Sequence, residues 1–199
     1  MRLDVLDSGQ RLRARIALRF MRLVGRIEPD PVAKMTLYRP AMFGRPWARL
    51  MRPVMRGPSE WSDGERELIA AHVSRLNACR FCAGVHTGTA SMLSEPAAVE
   101  LLDGWRQGEG DERLAATFAL LERVTLMPGD VGPADVARVR AAGVSAAAVA
   151  DALYICFMFN TVNRLASAFG FDWETDADRL RLAAMLNRSR YRVPGYFLR

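Results

Sequence analysis

Apolar residues recur at helical spacing through most of this chain. In residues 9–27, Leu12, Ile16, Phe20, Leu23 and Ile27 share one face, while Arg11, Arg15, Arg22 and Arg26 fall on another. Such a helix packs its apolar stripe on the domain or a neighbouring subunit, and a basic helix of this kind also suits an anionic membrane surface. Residues 28–60 are interrupted by Pro29, Pro31, Pro40, Pro46, Pro53 and Pro58. Proline lacks a backbone donor and clashes with the preceding turn, so short helical pieces are expected there rather than long helices. Met35, Leu37, Tyr38, Met42, Phe43, Trp47, Leu50 and Met55 make the stretch too apolar for a solvated linker.

Regular helices start at Ser62, where Ser62 and Glu65 have the spacing of a capping box. The first runs to about Leu76 and buries Ile69, Val73 and Leu76. Asn77 suits a reversal because its side chain bonds locally and tolerates left-handed geometry. A second helix opens near Ala78 or Cys79 and continues to about Leu93. A third begins at Ser94-Glu95-Pro96, buries Val99, Leu101, Leu102 and Trp105, and ends at Gly108 and Gly110. A fourth covers Glu112 to Leu126, with Leu114, Phe118, Leu121 and Leu126 inward. Pro133 to Ala142 form a fifth, stopped by Gly143. Ser145 caps a sixth that reaches about Gly170; its middle, Ala152 to Phe159, is apolar almost all round and is expected to be the central core helix. A last helix runs from Asp172 through Asn187. The tail residues Tyr191, Val193, Pro194, Tyr196, Phe197 and Leu198 are expected to pack on something. No period-two pattern occurs, so the class is all-α. The expected division is an N-terminal helical, proline-rich arm over residues 1–54, a helical domain over 55–190 and a tail over 191–199.

Composition changes this picture little. Half of the 199 residues are hydrophobic and a quarter are charged, which suffices for a sizeable core. The net charge is +6, and Lys34 is the only lysine, so the positive charge is almost entirely arginine. Neither zinc-finger spacing nor an aromatic–basic strand signature accompanies it, so no nucleic-acid partner is expected. No run of 18 apolar residues and no signal-like N-terminus occurs, so a cytoplasmic protein without a spanning helix is expected. Three cysteines do not make a secreted disulfide scaffold; a Cys-x-x-Cys pair reads better as redox or metal chemistry.

Reactive side chains concentrate between Glu67 and His86. This window holds both histidines and two of the three cysteines. On a helix, Cys79, Cys82 and His86 lie on one face. Cys79 falls in the first turn, where backbone N–H groups favour a thiolate. His86 is placed to accept or relay a thiol proton. If Asn77 is the turn of an antiparallel hairpin, Glu67 falls opposite His86 and can fix its tautomer. The same arithmetic brings His72 near Cys82 as a rival base, or leaves it a satisfied core residue. The dithiol has a natural reaction: one thiolate attacks a peroxide and becomes a sulfenic acid, and the other condenses with it to a disulfide that a reductant reopens. Zinc on Cys79, Cys82 and His86, with Glu67 or His72, is the rival, but structural zinc sites usually carry a second Cys/His pair, and the sequence has none. A structural disulfide would close too small a loop to stabilise much. Cys156 reads as a small core hydrophobe. Asn160, Asn163 and Arg164 read as a buried amide network, a subunit contact or part of a substrate pocket.

These residues resemble a known family, the AhpD-like alkylhydroperoxidases of the carboxymuconolactone decarboxylase superfamily. The resemblance rests on Glu67, Cys79, Cys82 and His86 within Arg-Leu-Asn-Ala-Cys-Arg-Phe-Cys, and on Phe-Asn-Thr-Val-Asn-Arg164-Leu-Ala further on. It spans roughly residues 55–172. It implies an all-helical domain that forms homotrimers or homohexamers and an antioxidant peroxidase that needs no metal or organic cofactor. It also implies Cys82 as the peroxide-attacking thiol, Cys79 as the partner exposed to a thiol or dithiol reductant, and His86 with Glu67 as the proton relay. Helix geometry favours Cys79 as the more easily ionised thiol, against the resemblance; the resemblance is followed, and Cys82 is the expected attacking cysteine. The best-studied members carry a histidine where this chain has Phe81, which removes one proton carrier and the grounds for assuming those members' electron donors. The expected function is a thiol-dependent hydroperoxidase or disulfide reductase. The alternatives are a decarboxylase-like enzyme using His86 and Glu67 on a small carboxylate, although decarboxylase members lack the cysteine pair, and a non-catalytic metal-binding or oligomeric interaction protein.

Overall fold

The computed structural model describes residues 4–23, 28–108, 110–173 and 175–192. Among these, every regular element is helical: α1 (Val5–Ser8), α2 (Leu12–Leu23), α3 (Pro31–Tyr38), α4 (Arg45–Arg56), α5 (Asp63–Leu76), α6 (Arg80–Ala90), α7 (Pro96–Gly104), α8 (Glu112–Leu126), α9 (Pro133–Ala141), α10 (Ala146–Phe169) and α11 (Asp176–Ser189). The all-α class therefore holds.

The helix starts follow side-chain chemistry. At α5 the Glu65 amide donates to Ser62 Oγ (3.2 Å) and the Ser62 amide to Glu65 Oε2 (2.6 Å), the reciprocal capping box. Ser145 Oγ accepts from the Ala148 amide at α10. Prolines stand in the first turn of α3, α4, α7 and α9, where the missing donor costs nothing. Pro53 sits inside α4, so the proline-rich stretch holds a longer helix than its composition suggests. The last helix begins at Asp176 behind a Thr175 cap rather than at Asp172.

The centre of the molecule is α5, whose Leu68, Ile69, Ala70, Ala71 and Val73 are all buried. Around it pack α10 (Ala152, Ile155, Met158, Phe159), α8 (Leu114, Phe118, Leu121) and α6 (Phe81, Val85). Trp61 donates its indole N–H to the Ala148 carbonyl at 2.8 Å and ties the start of α5 to α10. Leu6, Met35, Met51 and Met55 belong to the same core cluster, so the N-terminal helices share the hydrophobic core of the bundle.

Several inward positions read from the sequence face outward instead. Leu126, at the end of α8, is exposed. In α10, Tyr154 and Phe157 point outward while Ile155, Cys156, Met158 and Phe159 are buried. This helix is long and apolar enough by composition to cross a membrane, yet half of its apolar window is packed inside the bundle. In α2 the buried face is Ala14 and Leu18 against Leu37, whereas Leu12, Ile16, Phe20 and Leu23 are exposed. The apolar stripe of α2 thus does not pack on its own domain; Ile27 and Arg26 lie outside the described residues, as does the tail from Val193.

Candidate active site

The site is built on the α5–α6 hairpin. Its reversal is a Schellman motif: the Ala78 amide bonds the Arg75 carbonyl (2.9 Å) and the Cys79 amide the Ser74 carbonyl (3.0 Å). The left-handed residue is Ala78, at φ 51°, and not Asn77, at φ −81°. Asn77 instead sends its amide to the Val73 carbonyl and to Asn160 Oδ1, both at 3.1 Å. Cys79 therefore ends one helix motif and is the N-cap of the next. Cys82 lies in the first turn of α6 and His86 one turn further on.

The hairpin brings Glu67 and His86 together as its arithmetic requires. His86 Nδ1 and Glu67 Oε2 are 2.6 Å apart, and Glu67 has no exposed surface. Two residues that the sequence did not single out complete this carboxylate's shell. Arg56 Nη2 donates to Oε1 at 2.5 Å, and the Tyr191 hydroxyl donates to the same oxygen at 2.9 Å. The Arg56 guanidinium also lies over the Tyr191 ring at 4.8 Å and near Asp63, which pairs with Arg66 and Arg190 as well. Burial alone would raise the Glu67 carboxyl, but the His86 and then the Arg56 charges and bonds outweigh it and hold it below the usual carboxylate range. Burial, reinforced by the Glu67 charge, pushes the Tyr191 phenol well above its ordinary value, so it stays a donor. An arginine in an arginine-rich chain and a tyrosine in an aromatic tail carry no distinguishing pattern, so only the folded chain reveals them.

The two thiols are unlinked and buried, yet they differ. The Cys82 thiol bonds Cys79 and is the largest influence lowering it to about 6; burial opposes this, while the Cys82 amide, the Ser167 hydroxyl and His86 add to it. Cys82 is pushed well up by the same bond and by burial. The two shifts run in opposite directions, so Cys79 is the thiol that ionises more readily. A pocket of about 320 Å³ opens on Cys79, with Arg80, Phe81, Ser167, Phe171 and Asp172 among its walls. Its far side is another helix reversal, at Gly170 (φ 68°), where the Phe171 amide bonds the Ala166 carbonyl at 2.8 Å. Phe81 packs on Phe171 and Trp173, with ring centroids 5.5 and 5.6 Å away.

His72 stacks on Phe118 (4.2 Å, 7°), meets Trp105 edge-on and bonds the Phe118 carbonyl at 3.1 Å. Burial lowers its pKa to about 4. These are the contacts of a neutral core histidine. Asn163 Oδ1 accepts from Ser74 (3.2 Å) while its Nδ2 has no partner. Asn160 joins Asn77, Thr125 and Cys156, and Arg164 folds back on Asn160. None of Asn160, Asn163 and Arg164 lines the pocket. Cys156 is buried and its thiol raised by burial. Among the described residues, no three His, Cys, Asp or Glu side chains converge as metal ligands.

Fold and site together define an all-helical protein with a Cys-x-x-Cys pair above a buried glutamate–histidine pair. Residues 42–123 match the carboxymuconolactone decarboxylase family. Two solved structures share the fold. An uncharacterized peroxidase-related protein from Silicibacter sp. TM1040 is 24% identical, with 86% of this chain and 90% of that one aligned and a TM-score of 0.69. An uncharacterized peroxidase-related protein from Ralstonia eutropha JMP134, described as an alkylhydroperoxidase AhpD core, is 18% identical over 88% of this chain and 92% of that one, also with a TM-score of 0.69. No curated protein matches the sequence significantly.

Proposed function

We propose that this protein is a thiol-dependent oxidoreductase that reduces hydroperoxides or disulfides with the Cys79–Cys82 pair. The reading rests on the division between the thiols: Cys79 lines the pocket and ionises near neutral pH, whereas Cys82 keeps its proton one helical turn from the His86–Glu67 pair.

In this mechanism the Cys79 thiolate attacks the terminal oxygen of a hydroperoxide. The O–O bond breaks, Cys79 becomes a sulfenic acid and the alkoxide leaves as an alcohol after taking a proton from solvent. Cys82 then gives its proton to His86 and attacks the Cys79 sulfur. The S–O bond breaks, and the departing hydroxide takes the proton as water. With its Nδ1–H donated to Glu67, His86 has Nε2 left to exchange that proton, and the carboxylate stabilises the imidazolium. A thiol or dithiol reductant supplies two electrons by exchange and restores both thiols. A disulfide substrate enters the same cycle through a mixed disulfide on Cys79. Both oxygens of Glu67 are already bonded, which disfavours a decarboxylase role in which Glu67 would face substrate.

The family resemblance supports the opposite order, with Cys82 attacking first, and its position beside the histidine relay favours that order. Single-cysteine variants separate the two. One equivalent of an alkyl hydroperoxide should consume two thiols in wild type and leave a trappable sulfenic acid in Cys82→Ser but not in Cys79→Ser. Sulfenic acid only in Cys79→Ser would reverse the order. Unchanged thiols in all three proteins would remove the peroxidase reading.

A cytoplasmic setting, which keeps such thiols reduced, and a homotrimer or homohexamer belong to the same proposal. The outward Tyr154 and Phe157 of α10 supply apolar surface for self-association.

A further inference from the structure

We propose that α2 is an interfacial helix that docks this protein on an anionic lipid surface. The helix is held to the protein by a narrow face, Ala14 and Leu18 against Leu37, in a small cluster separate from the main core. Its opposite face carries Leu12, Ile16, Phe20 and Leu23, which are 71, 59, 61 and 80% exposed. Their spacing (i, i+4, i+8, i+11) aligns them in one stripe on a 3.6-residue period. Four large apolar side chains in a row against water are costly, since each loses the transfer free energy of burial.

The flanks of the stripe identify what covers it. Residues 11–23 contain Arg11, Arg13, Arg15, Arg19 and Arg22 and no acidic residue. By the helical period, Arg15 and Arg19 border the stripe on one side and Arg13 on the other. Arg22 is paired, bonding Glu28 at 2.6 Å. Arg11, Arg13, Arg15 and Arg19 are exposed. An apolar strip edged by arginines matches the cross-section of a bilayer interface: the strip enters the acyl boundary and the long side chains snorkel to phosphate groups. A second copy of the same helix meeting this one face to face would set like charges against each other. The occupant with complementary charge and a matching apolar layer is therefore an anionic membrane surface.

Flotation with lipid vesicles tests this on the full-length protein. Wild type should float with mixed phosphatidylglycerol–phosphatidylcholine vesicles, stay free of pure phosphatidylcholine vesicles, and dissociate at high salt. Ile16→Ser with Phe20→Ser should abolish flotation. Arg15→Gln and Arg19→Gln should each weaken it by about fivefold, as about 1 kcal/mol per basic residue implies. These exposed positions lie away from the dithiol, so thiol oxidation by a small hydroperoxide should be unchanged. No flotation of wild type, or flotation indifferent to the Ile16/Phe20 change, overturns the proposal. So does a loss of oligomeric mass in the Ile16/Phe20 variant without vesicle binding by wild type, which would assign the stripe to a second copy of the chain.

Discussion

At the scale of single residues, one shared hydrogen bond differentiates two identical side chains. Cys79 ionises first because the Cys82 thiol, an amide and a hydroxyl all face it, and a charge there opposes ionisation of Cys82. Alkylation of Cys79 by iodoacetamide should therefore rise with a midpoint near its pKa of about 6, and Cys82→Ser should move the midpoint upward because the serine hydroxyl is a different donor. A midpoint in the ordinary thiol range for both proteins would contradict this account. Tyr191→Phe keeps the ring beneath Arg56 but removes the donor to Glu67. It should cost about 1 kcal/mol in chemical denaturation and slow disulfide formation after the first oxidation; an unchanged midpoint and rate would leave the hydroxyl without a role.

At the scale of elements, the helix ends carry as much of the site as the helices. The Schellman reversal at Ala78 points Cys79 into the pocket, and the one at Gly170 delivers Phe171 to the opposite wall. Gly170 takes left-handed geometry freely, whereas Ala78 adopts it with a Cβ present, at a cost of about 1 kcal/mol. Ala78→Gly should accordingly raise the thermal midpoint by a few degrees, while the alkylation profile of Cys79 stays in place. A fall in the midpoint would show that the extra freedom of glycine in the unfolded chain outweighs the relief. Between α6 and α11, closeness depends on glycine: a Cβ on Gly84 would stand 2.9 Å from the Arg179 side chain, and one on Gly88 3.3 Å from the Ala183 Cβ.

At the scale of the whole molecule, acid should destabilise the fold through His72. Its folded pKa, lowered to about 4 by burial, lies below the unfolded value near 6.5. Between those values the unfolded state binds more protons, so stability falls as pH drops through that window. The full effect is about 3 kcal/mol. In denaturation series across this range, His72→Gln should flatten the pH dependence; an equally steep curve would place the acid sensitivity elsewhere. The Glu67 carboxyl, held low by His86 and Arg56, acts in the same direction at lower pH, because it too must be protonated for the fold to lose that stabilisation.

Local rules account for what was legible in the chain. Helical periodicity and capping signals set the all-α class, and the spacing of Glu67, Cys79, Cys82 and His86 around one reversal anticipated the carboxylate–imidazole contact, because a hairpin converts sequence arithmetic into distance. Tertiary structure decided which apolar faces turn inward. The stripes of α2 and part of α10 look like core positions by period, but burial depends on what lies opposite, and period carries no such information. It also decided the rest of the Glu67 shell: Arg56 and Tyr191 are 11 and 124 residues away along the chain. No local pattern links them to Glu67. A buried carboxylate needs donors on every oxygen, and the fold draws them from wherever the chain passes.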